Sequence, residues 1–427
     1  MPRRDGDIVE GKSLAVTVPE LAAAPVTIPT VNERPIYLSD ELMGQHILLV
    51  GGIGQGKTNA IYHILHSVRR AMTADDVAVI FDTKGDYAKR FRRPVDIVIN
   101  DFDQPRDQDP WNLIADLRAS QEADREEILS EIGHTLFDEQ VEHSQQPFFP
   151  IAAKDIFCAI LDRQSSRPGL TNKTIRTFWD TKSSEEIRQE FLSDPENKGK
   201  GLLHYISQDG PQTQGVLAHI TQLVRDVFIG RFREPGDLSI REAIRKKGGR
   251  CIFIEYNVST GKAQAPVYRV LIDLAIKEAL SRRRAQGRVF FFIDEFRLLP
   301  RLMHMDHGVN FGREYGLRFI VGMQNHEQVH ASYGDEAASI LSGFNTVMAF
   351  RVGDPETRDF VKGLAGQNLK RVAVPSLVPG PPVQQIVEGQ VVEDHHVWDL
   401  RPGEAIVFMP NTDAPFKTRI ALFQGVR

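Results

Sequence analysis

Residues 51–58 read GGIGQGKT and match the phosphate-binding pattern G-x-x-x-x-G-K-[ST] in full. Glycines allow backbone N–H groups to close around phosphates, and a helix that follows directs the positive end of its dipole at them. Lys57 is predicted to reach the β- and γ-phosphates, and the Thr58 hydroxyl to bind Mg²⁺. The motif therefore predicts a site for ATP and Mg²⁺ formed by Gly51, Gly52, Ile53, Gly54, Gln55, Gly56, Lys57, Thr58 and Asn59.

A second pair of chemically active residues follows the apolar run 289–293, which predicts a buried strand. A phosphate loop requires a carboxylate at a neighbouring strand end to orient Mg²⁺, and Asp294 fits that role. Glu295 is positioned to polarise the attacking water. Acids at strand ends are often plain surface residues, but the phosphate loop favours the functional interpretation. The pair indicates hydrolysis of ATP rather than transfer of a phosphoryl group, because no sequence signal marks an acceptor pocket.

Gln324 comes directly after another predicted strand, 318–323. A polar side chain at such a strand end can sense the γ-phosphate or orient water. The alternative is an ordinary surface glutamine, and the sequence leaves the two interpretations open.

The flanking elements give the phosphate loop its expected context. Residues 46–50 form a short apolar run that predicts a buried strand, and residues 59–65 have apolar side chains at helical spacing. A glycine-rich turn with an incidental lysine would lack this strand–loop–helix order. Further continuous apolar runs at 77–81, 96–99, 251–256 and 346–350 favour a parallel sheet covered on both faces.

The texture of the chain changes in its middle third, where strand-like runs give way to amphipathic helical patterns. Helices are predicted at 122–137, 151–163 and 214–232, and the Ser183–Glu186 capping box predicts a helix start. We therefore expect an N-terminal arm (1–36), a nucleotide-binding domain in two parts (37–108 and 236–427), and an inserted all-α subdomain (109–235).

Composition limits the remaining possibilities. The chain has 427 residues with 41% hydrophobic and 26% charged residues, which is ordinary for a globular protein. The net charge of −5 means that contact with nucleic acid requires a local basic surface. Two distant cysteines argue against a disulfide framework, and no apolar run of ~18 residues predicts a membrane span. We expect a cytoplasmic protein, peripheral at the inner membrane only if partners hold it there.

Histidine-rich segments offer a second possible metal site. His304 and His307, and likewise His395 and His396, have no partner pair at zinc spacing. We predict no metal besides Mg²⁺.

Several segments together resemble the conjugative coupling ATPases of type IV secretion systems, the TraD/TrwB type within the FtsK/HerA clan of RecA-like motors. The similar segments run in that family's order, from about residue 36 to the C-terminus: GGIGQGKT, FDTKGDYAKRF, DPWNLIADL, FFFIDEFRLLP, FGREYGLRFIVGMQNHEQVHASYG, FRVGDPETRDFVKGLAG and WDLRPGEA. The resemblance implies a RecA-like P-loop NTPase of the α/β class, with a mostly parallel central sheet and an inserted all-α subdomain.

The resemblance also implies a homo-hexamer with ATP at subunit interfaces and DNA in a central channel. Arg313 would then be the residue that each subunit donates to its neighbour's ATP. Two features depart from the family: its usual N-terminal membrane helices are not found, and the loop interior 52–55 differs from the common version while it keeps the required glycines.

Three basic clusters are candidates for DNA contact, although a solvated helix end is the commoner meaning of such a run. They are Lys84, Lys89, Arg90, Arg92 and Arg93; Arg245, Lys246, Lys247 and Arg250; and Arg282, Arg283, Arg284 and Arg288. The leading hypothesis is an ATP-driven motor that moves single- or double-stranded DNA in conjugation. The alternatives are a soluble HerA/FtsK-like ATPase of DNA processing or defence, and an ATP-binding module that recruits a relaxase or effector protein.

Overall fold

The computed structural model describes residues 7–102, 108, 110–193, 201–206, 210–281, 287–299, 301–374 and 382–425. The chain forms two compact units. The first comprises Met1–Phe81, Arg283–Pro300 and Asp306–Arg427, and the second comprises Asp82–Arg282 and Arg301–Met305.

The strands of the described residues, in chain order, are β1 Asp7–Glu10, β2 Val26–Ile28, β3 Ile36–Leu38, β4 Ile47–Val50, β5 Val77–Asp82, β6 Ile97–Ile99, β7 Arg250–Glu255, β8 Val289–Ile293, β9 Leu317–Met323, β10 Thr346–Ala349, β11 Gln367–Val374, β12 Val383–Gln390, β13 Glu404–Phe408 and β14 Phe416–Arg419.

The α-helices of the same residues are α1 Asp40–Gly44, α2 Lys57–Ala71, α3 Asp86–Phe91, α4 Leu113–Arg118, α5 Arg125–Glu142, α6 Phe148–Ser165, α7 Asn172–Thr181, α8 Ser184–Leu192, α9 Pro211–Val227, α10 Ile240–Lys246, α11 Gly261–Leu280, α12 Met305–Phe311, α13 Glu327–Tyr333, α14 Glu336–Ser342, α15 Pro355–Ala365 and α16 Asp394–Trp398. None of these helices is long and apolar enough to cross a membrane.

The first unit is built on a sheet whose strands lie in the order β14–β13–β10–β4–β9–β8–β5. Neighbours from β10 to β5 are parallel, whereas β13 and β14 are antiparallel additions. Every side chain of β4, β5, β8 and β9 is buried. A continuous apolar run is what a parallel strand covered on both faces requires, so the predicted central sheet is confirmed.

Two predicted strands have different bounds for identifiable reasons. The first was expected at 46–50, but His46 has a φ of 60° and β4 begins at Ile47. The His46 ring accepts the N–H of Phe319 at Nδ1 (3.1 Å), so its other nitrogen, Nε2, carries the proton donated to the carbonyl of Val309 (2.9 Å). Burial lowers the pKa of His46 to about 4, which keeps this bridge neutral. The sequence also predicts a short extended piece at 417–423, but β14 ends at Arg419, because the following residues leave the sheet and bond to α2.

The second unit contains the parallel pair β6–β7, with only helices described between these two strands along the chain. The Ser183 capping box forms as predicted, with Ser183 and Glu186 each bonded to the other's backbone. The helix predicted at 214–232 starts earlier, with Pro211 at its first turn, and ends at Val227. Its predicted end is instead a 3₁₀ turn, Gly230–Arg233, entered through Gly230 at a φ of 52°.

The division into compact units runs differently from the predicted domains. The second unit begins at Asp82 and extends to Arg282, so it includes β6, β7 and α11 as well as the helices before them. The boundaries proposed from sequence, 36/37, 108/109 and 235/236, stay predictions.

Candidate nucleotide site

The phosphate loop connects β4 to α2 within the first unit. Gly54 and Gly56 have φ values of 74° and 119°, a region that side chains with a Cβ rarely adopt, so the loop needs glycine at both positions. Gly51 is required for a different reason, since a Cβ there would lie 2.7 Å from the Cβ of Phe350. The predicted loop residue Ile53 is exposed.

Lys57 is the first residue of α2 and is buried. Its Nζ donates to the carbonyl oxygen of Gly51 and, at 3.1 Å, to that of Gly52. The ammonium group therefore lies against the loop that it is predicted to complete.

The Thr58 hydroxyl donates to the Asp294 carboxylate, at 3.0 Å to Oδ2 and 3.2 Å to Oδ1. Thr58 lies in α2, which follows β4, and Asp294 directly follows β8. The hydroxyl and the carboxylate therefore come from the carboxyl ends of two parallel strands. The structure thus brings together the two side chains predicted to hold Mg²⁺, and oxygen donors are the ligands that this ion prefers.

Glu295 and Gln324 also meet at this edge of the sheet. Ile293 pairs with Val321, so the ends of β8 and β9 lie side by side. Gln324 Nε2 donates to Glu295 Oε2 at 2.5 Å. The other oxygen, Oε1, is buried and accepts no hydrogen bond from the described residues. One oxygen of the carboxylate is therefore anchored, and the other retains its capacity to accept a proton.

Asn59, the last residue of the predicted loop set, directs its side chain to the carboxyl-terminal segment. Its Nδ2 donates to the carbonyl of Ala421, and its Oδ1 accepts the N–H of Phe423, both at 2.8 Å. His63 Nε2 also lies 2.8 Å from the carbonyl of Ala421, and burial lowers the pKa of this histidine. The first turn of α2 is thereby fixed to residues 421–423.

Arg313 is far from these groups within the same unit. It lies in the 3₁₀ turn Gly312–Tyr315 before β9 begins, whereas Gln324 follows the end of β9. Seven strand residues at ~3.3 Å each separate them by roughly 20 Å. The Arg313 side chain is 51% exposed and forms a 3.4 Å ion pair with Glu41. A chain cannot apply this arginine to its own phosphate loop.

Sequence reasoning did not identify the residues that border the loop on its other side. The backbone N–H of Gly52 donates to the carbonyl of Arg351, and the N–H of Gly403 donates to the carbonyl of Gln55, both at 2.9 Å. These contacts join positions that are hundreds of residues apart, and no local motif announces them. The segment after β10, FRVGDPE, gave a family resemblance but no role.

The basic clusters differ in how their charges are used. In the second cluster, Arg245 pairs with Glu278 (2.6 Å) and Lys246 with Glu242 (2.6 Å). In the third, Arg288 pairs with Asp76 (2.9 Å), while residues 282–284 lie outside the described chain. In the first cluster, four cations are exposed and form no ion pair with any described residue: Lys84, Lys89, Arg92 and Arg93.

A buried carboxylate fixes the turn at the start of this first cluster. Asp82 accepts the backbone N–H groups of Lys84 (3.0 Å), Gly85 (2.8 Å), Tyr87 (2.9 Å) and Ala88 (3.4 Å). Burial raises the pKa of Asp82, and the four donors oppose that rise. The turn before α3 is thus fixed in a shape that leaves Lys84 exposed.

The family of this chain follows from its similarity to known proteins. Residues 29–374 match the family described as the type IV secretion-system coupling protein DNA-binding domain. The chain belongs to that family. It is 23% identical over 347 residues to the coupling protein TraD of Escherichia coli (strain K12), covering 79% of this chain but 46% of TraD. The chain therefore spans about half the length of that coupling protein.

Solved coupling-protein structures share the fold. The plasmid coupling protein TrwB in complex with ADP and Mg²⁺ superposes with a TM-score of 0.76 at 18% identity, covering 100% of this chain and 97% of that one. TrwB in complex with a non-hydrolysable ATP analogue gives the same TM-score and identity. The RecA-like fold expected from the sequence is confirmed by these similarities.

Proposed function

We propose that this protein is an ATP-hydrolysing, DNA-translocating motor of the coupling-protein type. The observation that carries the proposal is the arrangement of Thr58–Asp294 and Glu295–Gln324 beside the glycine loop. That arrangement has a binding half and a water-activating half, as hydrolysis of a nucleoside triphosphate requires. The TrwB complexes with ADP, Mg²⁺ and an ATP analogue support the same ligands here.

The proposed mechanism assigns one task to each group. Backbone N–H groups of the loop and Lys57 bind the β- and γ-phosphates, and Thr58 and Asp294 hold Mg²⁺. Mg²⁺ held by Thr58 and Asp294 would supply positive charge against the charge that develops on the phosphate oxygens. Glu295 Oε1 accepts a proton from the water that attacks the γ-phosphorus, and the products are ADP and inorganic phosphate. Gln324 keeps that carboxylate in position through its other oxygen.

Oligomerisation is part of the proposal, since Arg313 lies about a strand length from its own chain's loop. A neighbouring subunit in a hexamer would supply this arginine to the ATP site, where it stabilises transition-state charge. Arg313 is exposed, and its one ion pair among the described residues is with Glu41, which is itself exposed, so the guanidinium is accessible for that role.

The DNA contact is assigned to the first basic cluster. Lys84, Lys89, Arg92 and Arg93 are exposed cations without a carboxylate partner in the described chain, and phosphate contact requires such charges. In the other two clusters, Arg245 and Arg288 instead form ion pairs with Glu278 and Asp76, respectively. A relaxase or a secretion-system protein is the proposed protein partner of the motor.

The test measures ATP hydrolysis and mass, with and without single- or double-stranded DNA. We expect DNA to stimulate hydrolysis by an oligomer. Glu295→Gln should bind ATP but lose turnover by about 10²-fold or more, because the proton acceptor is gone. Neutralising Lys89, Arg92 and Arg93 to Gln should reduce stimulation and flatten its salt dependence. The matched control, neutralising Arg245 and Lys246, should leave the stimulation and its salt dependence unchanged.

Two outcomes would contradict the motor. Equal hydrolysis with and without DNA by a stable monomer would favour the recruitment module, which needs ATP only for assembly. Hydrolysis by Glu295→Gln at the parent rate would refute the assignment of the base.

A further inference from the structure

The sheet order fixes the direction in which ATP must lie on the loop. Strand β4, which carries the loop, has β9 on one side and β10 on the other. Asp294, Glu295 and Gln324 follow β8 and β9, so the γ-phosphate end belongs on that side. All of these strands are parallel, so their carboxyl ends share one edge of the sheet. The nucleoside end must then face the residues that follow β10.

A cation and an indole ring occupy that position. Arg351 follows β10, and its backbone carbonyl accepts the N–H of Gly52, 2.9 Å away. Its guanidinium carbon lies 5.0 Å from the centroid of the Trp398 ring, within the range of a cation–π contact. Trp398 begins the segment that leads to Gly403, which bonds to the loop at Gln55. Arg351 is therefore bonded to the loop directly, and the segment that follows Trp398 is bonded to it at Gly403.

The two arginines on Trp398 are held differently. Arg358 lies 5.2 Å from the same ring centroid, donates to the carbonyl of Gly353 (2.6 Å) and pairs with Asp394 (2.8 Å). Arg351 is exposed, and within the described ranges it forms no ion pair with any carboxylate. Arg358 thus fixes the indole, whereas Arg351 keeps the charge and the outer face of its guanidinium available to a ligand.

We propose that Arg351, supported by Trp398, stacks on the base of the bound nucleotide. A guanidinium is planar, so one face can lie on the indole while the other accepts a nucleobase. The proposal rests on the nucleotide site proposed above and adds the residue that contacts the nucleoside end of ATP. It distinguishes Arg351 from Lys57, which serves the phosphates.

The experiment separates the base from the phosphates. Dissociation constants for ATP and for inorganic tripolyphosphate, which lacks a nucleoside, are measured with Mg²⁺ by displacement of a fluorescent ATP analogue. Arg351→Ala should weaken ATP about tenfold and leave tripolyphosphate unchanged, since a stacked base contributes on that order. Arg351→Lys, which keeps the charge but loses the plane, should weaken ATP similarly. Trp398→Ala should have a smaller effect of the same kind.

The control is Arg371→Ala, a change of an exposed arginine on β11, which should alter neither constant. Equal weakening of ATP and tripolyphosphate by Arg351→Ala would overturn the proposal, because the arginine would then bind phosphate. Unchanged ATP binding would overturn it as well. If the parent protein bound neither ligand, the nucleotide site itself would be refuted, and the two failures are thereby distinguishable.

Discussion

The two oxygens of Glu295 have unlike surroundings, and that asymmetry depends on a neighbouring glycine. Gly322 lies in β9 beside the end of β8, where a Cβ would overlap the carbonyl oxygen of Asp294. The close approach of the two strands allows Gln324 to reach Glu295 and Thr58 to reach Asp294. Glycine at this position therefore sets the spacing of the groups that we propose take part in hydrolysis.

We predict that Gly322→Ala lowers the ATPase rate by about 10–10²-fold, because a displacement near 1 Å at a reacting group costs that much. The melting temperature should also fall, since β8 and β9 must separate. Steady-state hydrolysis and thermal unfolding check both results. Gly363→Ala is the matched control: this helical glycine has open space around it, so both quantities should be unchanged or slightly higher. Parent activity in Gly322→Ala would refute the spacing argument.

The residues of the site were predictable from sequence to the extent that their signals are local. The loop 51–58 and the acids at 294–295 combine a short motif with a flanking strand, and the structure has both where expected. Arg351 and Gly403 carry no such signal, because their relation to the loop arises from strand order. Three-dimensional neighbours distant in sequence leave no periodic trace.

At the scale of elements, helix α11 carries a buried acidic residue, Asp273, at a position where an apolar side chain would pack without the cost of burying a charge. The Asp273 side chain is buried inside the second unit. Its Oδ1 accepts the backbone N–H of His304 at 3.2 Å, whereas its Oδ2 accepts no hydrogen bond from the part of the chain described. Burial raises the pKa of Asp273 to about 6, and the nearby charges of His304 and Arg269 only partly oppose this. The ionised carboxylate therefore costs stability near neutral pH.

The sign of the pH effect follows from the raised pKa. Between roughly pH 4 and 6 the folded state binds a proton that the unfolded state has lost, so the free energy of unfolding falls as pH rises through that window. Asp273→Asn keeps an acceptor oxygen but cannot ionise. We predict that it is more stable than the parent at pH 7 by on the order of 1–3 kcal/mol, and that this gain disappears at pH 4.

Urea unfolding of both proteins at pH 4 and pH 7 measures the difference. Asp237→Asn, at an exposed position of the same unit, should give no pH-dependent difference from the parent. A gain for Asp273→Asn that is equal at both pH values would contradict the role of ionisation, and a loss at pH 7 would mean that the carboxylate is stabilising.

The elements themselves were largely predictable where apolar periodicity is strong. The strands 289–293 and 77–81 and the capping box at Ser183 follow from local pattern. The missed boundaries have tertiary causes. His46 takes a positive φ in which its ring bridges Phe319 and Val309, and the chain after Arg419 leaves the sheet for α2. The secondary-structure propensity of a short stretch of sequence contains no information about such long-range hydrogen bonds.

At the scale of the whole molecule, the separation of Arg313 from its own loop makes a testable statement about assembly. Lys57→Ala and Arg313→Ala should each abolish most hydrolysis. When the two variants are mixed before assembly, about a quarter of the interfaces combine an intact loop with an intact arginine, so activity should return toward that fraction of the parent rate. ATPase assays across mixing ratios, with mass measured in parallel, provide the readout.

The control mixes Lys57→Ala with Glu295→Gln. Both residues belong to the proposed site of one chain. Every site in the mixture therefore lacks either Lys57 or Glu295, and the mixture should stay inactive. Failure of the Lys57/Arg313 mixture to recover, in an oligomer that contains both variants, would mean that Arg313 does not act across subunits.

The attachment of residues 421–423 to α2 has a mechanical consequence. Asn59 and His63 both hold the carbonyl of Ala421, and the Phe423 ring lies 5.1 Å from that of His63. Residues 421–423 are therefore bonded to the first two turns of the helix that starts at Lys57. Tension on that segment, from a tethered domain, a tag or a load, would be delivered directly to the ammonium group of Lys57 and the hydroxyl of Thr58, which we propose to hold the nucleotide.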